Sequence, residues 1–154
     1  MEYRTGSHTK HKLEYHFVWA TKYRYQVLTG DIKIRVRELI RQTCESMEVN
    51  IVKGVVSSDH VHILVSCPPG VAPAELMKRV KGRSSRLLME EFGSLRKRYW
   101  GRHLWSRGYF CVTIGSFDEN LVKAYLEHHG EVLDEGVWVE TGESTCVRGL
   151  FSGL

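Results

Sequence analysis

Two histidines one residue apart, His60 and His62, follow a Ser57-Ser58-Asp59 turn and open a β-branched run through Val65 that reads as a strand. Successive strand side chains alternate between faces, so His60, His62 and Leu64 share one face while Val61, Ile63 and Val65 point to the other. On a regular strand the two histidine Cα atoms lie about 6.6 to 7 Å apart, close enough for both imidazoles to converge on one metal ion. A His-x-His pair alone is equally what two packing histidines bonded to backbone or water look like. A further element has to decide.

That element lies downstream. Tyr125 and His129 are four residues apart and share one face of a helix expected over 119–129. If that face closes over the histidine strand, His129 completes a three-histidine metal site and brings Tyr125 beside it. A phenol, with a pKa of about 10, is a poor nucleophile at neutral pH unless its proton is removed or its target polarised. A divalent ion on a nonbridging phosphate oxygen would polarise a phosphodiester. Attack on phosphorus then gives a phosphotyrosine ester and frees a hydroxyl, and the ester can be attacked in turn by another strand end. Bond energy is retained, so no nucleotide cofactor is needed, and the chain has no Gly-x-x-x-x-Gly-Lys-Ser/Thr loop.

The surrounding elements must hold these groups. At 154 residues and 42% hydrophobic content the chain suits a single domain, 1–154, with a core over about 10–131 and a peripheral extension over 132–154. No run of 18 apolar residues exists and the start has no apolar signal segment, so we expect a cytoplasmic protein with no membrane partner. Cys44, Cys67, Cys111 and Cys146 form no Cys-x-x-Cys pair, which argues against a zinc ribbon or a thioredoxin-like motif.

Residues 11–20 alternate, with Leu13, Tyr15, Phe17 and Trp19 on one face, and predict strand one. Gly30-Asp31 caps a helix over about 32–48; 49–56 is a second strand, turned back by Ser57-Ser58-Asp59 into the histidine strand. Pro73 opens a helix to about 92, a basic loop follows Gly93, and 109–114 forms a fourth strand. This order is that of an α+β, ferredoxin-like (split βαβ, RNA-recognition-like) fold: an antiparallel sheet backed by two helices, with the tyrosine helix added at the C-terminal end. The fold hosts many functions and does not choose among them.

Charge is distributed unevenly. Residues 1–41 carry 9 basic and 4 acidic side chains, 78–107 carry 10 and 2, and 118–143 carry 1 and 8. The first two segments are candidate polyanion surfaces, with Lys10, Lys12, Lys81, Arg83, Arg86 and Arg102 as candidate DNA contacts. They are interleaved with Tyr23, Tyr25, Tyr99, Trp100 and Trp105, rings on which unstacked bases could rest.

Four motifs in order, His60-Val61-His62 after the Ser-Asp turn, Lys81-Gly82-Arg83-Ser84-Ser85-Arg86, Tyr99-Trp100-Gly101-Arg102-His103-Leu104-Trp105-Ser106-Arg107-Gly108-Tyr109-Phe110, and Val122-Lys123-Ala124-Tyr125-Leu126, resemble the TnpA-type HUH single-tyrosine transposases of the smallest bacterial insertion sequences. The resemblance implies a homodimer with trans active sites that binds hairpins at the ends of single-stranded element DNA. It implies cleavage to a 5′-phosphotyrosine and a 3′-hydroxyl, followed by rejoining. It further implies Tyr125 as nucleophile, His60, His62 and the residue at 129 as metal ligands, and Mg²⁺ or Mn²⁺ as cofactor. Many relatives carry Gln or Asn where this chain has His129, and an all-imidazole set favours Mn²⁺, Co²⁺, Ni²⁺ or Zn²⁺ over Mg²⁺. The same chemistry would serve a replication initiator or a domesticated nicking protein acting on genomic hairpins. A non-catalytic hairpin-binding module would instead bind without metal and never become covalently attached to DNA.

Overall fold

The computed structural model describes residues 3–113 and the pair Val137–Trp138. A small hairpin, β1 (Arg4–Thr5) with β2 (Lys10–His11), precedes β3 (Leu13–Ala20). A single 3-10 turn, Lys22–Arg24, leads to α1 (Gly30–Ser46), and β4 (Asn50–Val56) and β5 (His60–Cys67) form a hairpin. Then come α2 (Pro73–Glu91), a short α3 (Gly93–Arg98), β6 (Phe110–Thr113) and β7 (Val137–Trp138). The main sheet runs β6-β3-β5-β4-β7, antiparallel throughout. Without β7 this is the ferredoxin-like order expected from the sequence.

Period-2 alternation decides which side chains meet the helices. Phe17 and Trp19 of β3 and Val61, Ile63 and Val65 of β5 join the core formed with Val36, Leu39 and Ile40 of α1 and Leu76, Met77, Val80 and Leu88 of α2. Each such side chain, fully buried, contributes about 1.5–3 kcal/mol. The opposite face of β5 carries His60, His62 and Leu64, and all eight residues of the strand are buried. Arg83 ties the helices together: its guanidinium donates to Gln42 Oε1 at 2.9 Å and Thr43 Oγ1 at 3.3 Å. Arg35 of α1 grips Glu91 of α2 through two 2.8 Å bonds.

Several boundaries differ from expectation. Helix α1 begins at Gly30 behind an extended Thr29 whose side chain makes no cap, so Asp31 sits in the first turn, where its charge suits the helix dipole, and is not the cap. The basic stretch after Gly93, expected as a loop, winds into α3 because Leu95 buries against the core. Strand one starts at Leu13; before it, β1 and β2 fold back, and Arg4 anchors them by donating to Ser66 O and Glu48 O, both at 2.9 Å. In the extension, Val137–Trp138 pairs with Gly54 and Val55 and covers the β4 edge. The helix expected over 119–129, with Tyr125 and His129, lies outside the described residues. Among the described residues no helix is long and apolar enough to cross a membrane.

Candidate metal centre and basic face

The histidine strand is organised from its preceding turn. Thr21 N–H donates to Asp59 O at 2.9 Å, and Leu28 N–H to Ser58 O at 2.9 Å, so the turn is held by the segment that follows β3. Within that segment Tyr23 and Arg24 adopt left-handed backbone angles, φ 62° and 53°. Such angles cost roughly 1–2 kcal/mol per non-glycine residue. The reversal aims Arg24 at Asp59: Nε and Nη2 donate to Oδ2 at 3.1 and 2.9 Å. The two side chains are only 7% and 2% exposed, so this ion pair operates in a poorly screened setting.

The other carboxylate oxygen of Asp59 faces His60. His60 Nδ1 lies 2.9 Å from Asp59 Oδ1, and because an ionised carboxylate can only accept, Nδ1 carries the proton. With Nδ1 turned to the carboxylate, Nε2 is the ring nitrogen that faces away from it; a carboxylate behind a histidine is the common outer-shell arrangement at metal sites. Arg24, Asp59 and His60 thus form a relay that fixes the orientation of the His60 ring.

His62 meets a third histidine. His16 of β3 stands diagonally across from it, since His62 pairs with Val18 and His16 with Leu64. His16 Nδ1 is 3.2 Å from His62 Nε2, with ring centroids 5.4 Å apart and planes at 52°. Two nitrogens bound to one ion at ~2.0–2.1 Å with tetrahedral angles lie about 3.3 Å apart, so this separation suits either a shared proton or a shared ion. Burial pushes His16 down to about 4. It drives His62 well below its ordinary range too, helped by the charges of His16, His60 and Lys53. Both rings are therefore neutral at physiological pH, the form that ligates. Lys53 reaches this face because a bulge between Ile51 and Lys53 shifts the β4 register.

The donor types fit a divalent ion: buried imidazoles on one face of the sheet, with a carboxylate behind one of them. Among the described residues no group of three or more His, Cys, Asp and Glu is arranged to hold a metal. The third ligand expected from the sequence, His129, and the nucleophile, Tyr125, lie outside those residues.

The basic residues divide by what they touch. Lys81 Nζ donates to Ser106 O at 2.8 Å and Gly108 O at 2.7 Å, pinning the segment before β6 to α2. Arg83 bridges to α1, as described. Arg86 and Arg102 are exposed, Arg86 reaching Glu90 at 3.5 Å. Lys10 is exposed on β2, and Lys12 is half-buried ahead of β3. Of the aromatics expected on this surface, Tyr99 and Trp105 are buried instead: Tyr99 donates to Lys22 O at 3.1 Å and Trp105 Nε1 to Ser84 Oγ at 2.9 Å. Arg98 lies over the ring of half-buried Tyr25, 4.0 Å from its centroid, while Tyr23 and Trp100 are exposed.

His16, Asp59, Arg24 and Lys53 were not singled out from the sequence as site residues. His16 had a signal: in the alternation of strand one it falls on the face opposite Phe17 and Trp19, where the histidine strand turns its own imidazoles. Which residue it meets depends on strand pairing, which alternation does not specify. The Lys53 orientation depends on a bulge with no local sequence mark.

Comparison with known proteins bears on what this arrangement serves. Residues 9–129 match the family described as "Transposase IS200 like". The chain is 35% identical over 125 residues to the transposase for insertion sequence element IS200 of Salmonella typhimurium, covering 81% of this chain and 82% of that one. It is 30% identical over 127 residues to the ISDra2 transposase TnpA of Deinococcus radiodurans, covering 82% and 91%. A crystal structure of a transposase from Deinococcus radiodurans R1 superposes with a TM-score of 0.76 at 30% identity, over 82% of this chain and 97% of that one. A REP-associated tyrosine transposase bound to a REP hairpin shares the fold, with a TM-score of 0.53 at 16% identity over 80% and 68%.

Proposed function

The chain belongs to the IS200-like transposase family, and from that premise we propose that it binds hairpin ends of single-stranded insertion-sequence DNA and cleaves and rejoins strands through Tyr125. The observation that carries this reading is the Arg24–Asp59–His60 relay, which holds a histidine of the His-x-His pair against a carboxylate as metal-binding histidines are held.

His60 and His62 would hold the ion, with His129 as the third ligand. When bound, the ion supplies polarisation of the scissile phosphate. Tyr125 Oη gives up its proton to solvent and attacks phosphorus; a P–Oη bond forms, the bond from phosphorus to the 3′ oxygen breaks, and the departing 3′ oxygen takes up a proton from solvent as the hydroxyl forms. Attack by another strand's 3′-hydroxyl on the phosphotyrosine reverses these steps and rejoins the DNA. Neither direction consumes a nucleotide cofactor. With three imidazoles the site favours Mn²⁺, Co²⁺, Ni²⁺ or Zn²⁺ over Mg²⁺. The active unit is a homodimer whose tyrosine helices cross between subunits.

The test is incubation with end-labelled single-stranded element DNA and Mn²⁺, followed by denaturing electrophoresis. A labelled band migrating with the protein, dependent on metal and on Tyr125, is expected. Binding without any covalent product, across the divalent metals named, would reduce the protein to a hairpin-binding module.

A further inference from the structure

Gly82 occupies the middle of α2, where glycine is a poor choice: it is less favourable in a helix interior than any residue except proline. Nothing among the described residues accounts for it. Its backbone is not among those with positive φ, and a Cβ built on it would meet no atom within 4 Å. Neither backbone conformation nor contact with the described residues requires a missing side chain here. A physical reason for glycine that remains is close approach by something other than the described residues.

The space beside Gly82 supports that reason. A hollow of about 380 Å³ lies between α2 and the segment before β6, lined by Lys22, Gly82, Ser85, His103 and Arg107 among others. A second hollow of about 410 Å³ shares Gly82, Ser85 and His103 and adds Arg86, Arg96 and Arg102. Among the described residues the one carboxylate lining either space is Glu90, which is paired with Arg86. Ser85 Oγ accepts from Leu104 N–H at 3.2 Å, which leaves its O–H to donate outward. The floor is a helix backbone without a side chain, and the rim is cationic with hydroxyl and imidazole groups.

We propose that Gly82 is the close-contact point at which the sugar–phosphate backbone of bound DNA is received against α2, with Lys22, Arg107 and Arg102 as its flanking cations. The inference rests on the transposase reading for the identity of the polyanion and goes beyond it in assigning the seat. It explains a helix-weakening residue as a gain in DNA contact, so stability and binding should move in opposite directions when it is replaced.

The experiment compares wild type, Gly82→Ala and Gly82→Leu by thermal melting and by titration of a fluorescein-labelled hairpin oligonucleotide copied from the DNA flanking the gene, at fixed ionic strength. Gly82→Ala should melt about 2 °C higher, since alanine favours the helix and meets nothing. Its Kd for the hairpin should nevertheless rise about 3-fold, and that of Gly82→Leu more than about 10-fold, as the side chain displaces the backbone from its seat. Both variants binding within about 2-fold of wild type would overturn the assignment. Wild-type protein that shows no preference for the hairpin over an unstructured oligonucleotide of equal length would instead defeat the transposase reading, and this inference with it.

Discussion

His16 Nδ1 lies 3.2 Å from His62 Nε2, which makes a histidine outside the His-x-His motif an immediate neighbour of the motif's second ring. The contact is buried, so removing His16 exposes His62 to no compensating water. His16→Ala should weaken binding of Co²⁺ by about 10-fold or more, the usual penalty for losing a group that orients a ligand. Co²⁺ absorption spectra read the coordination directly and without turnover. An unaltered spectrum and unaltered affinity would show that His16 only fills space.

Asp59 serves two masters, and the two substitutions around it should separate them. Arg24→Ala leaves a buried carboxylate without its guanidinium and should destabilise the protein by about 3 kcal/mol, measured by urea denaturation. Asp59→Asn keeps the shape but gives His60 Nδ1 a weaker acceptor, so metal affinity should fall by about 10-fold. Loss of stability without any loss of metal affinity in Asp59→Asn would make the relay a structural device.

The legible part of this site was the part carried by local periodicity. Alternation put His60 and His62 on one face of their strand and Val61, Ile63 and Val65 on the other, and the element order yielded the sheet order, because strand and helix periods are written in single segments. What escaped was set by contacts between segments. The His16 diagonal needs the β3–β5 register, Lys53 needs a bulge, and Arg24 needs two left-handed residues to turn back on Asp59. Tyr99 and Trp105 looked like a surface because they sit among cations in sequence; their polar atoms find Lys22 O and Ser84 Oγ inside the fold instead.

The basic residues should separate by experiment as they do by geometry. Arg86→Glu with Arg102→Glu should weaken hairpin binding and flatten its dependence on salt, since exposed cations release counterions when they meet phosphates. Arg83→Ala should chiefly lower stability, by about 1–2 kcal/mol, because its bonds go to α1. Equal effects of both changes on the salt slope would place Arg83 on the DNA as well.

Tyr125→Phe removes only the nucleophilic oxygen, so hairpin binding should survive while the covalent adduct disappears. His129→Gln should retain cleavage and move the metal preference toward Mg²⁺, because an amide oxygen replaces an imidazole. Adduct formed at wild-type yield by Tyr125→Phe would end the assignment of the nucleophile. Cleavage by His129→Ala that matches wild type with every metal would place the third ligand elsewhere.

Whether the tyrosine and the histidines of one active site come from one subunit or two can be read from mixed dimers. Gly115 precedes the segment expected from the sequence to form the tyrosine helix, and glycine tolerates backbone angles that other residues do not, which is what a crossing to the partner subunit would require there. In a trans assembly, a heterodimer of a His60→Ala/His62→Ala subunit with a Tyr125→Phe subunit contains one wholly intact site and one doubly defective site. In a cis assembly both sites are defective. Two proteins that are each inactive should therefore regain adduct formation on a one-end substrate when unfolded together and refolded, at up to about half the sites of each mixed dimer. Each mutant refolded alone supplies the background, and differently tagged subunits verify that mixed dimers formed. Silence from verified heterodimers would reject the trans assembly for the cleavage step while leaving the roles of His60, His62 and Tyr125 in place.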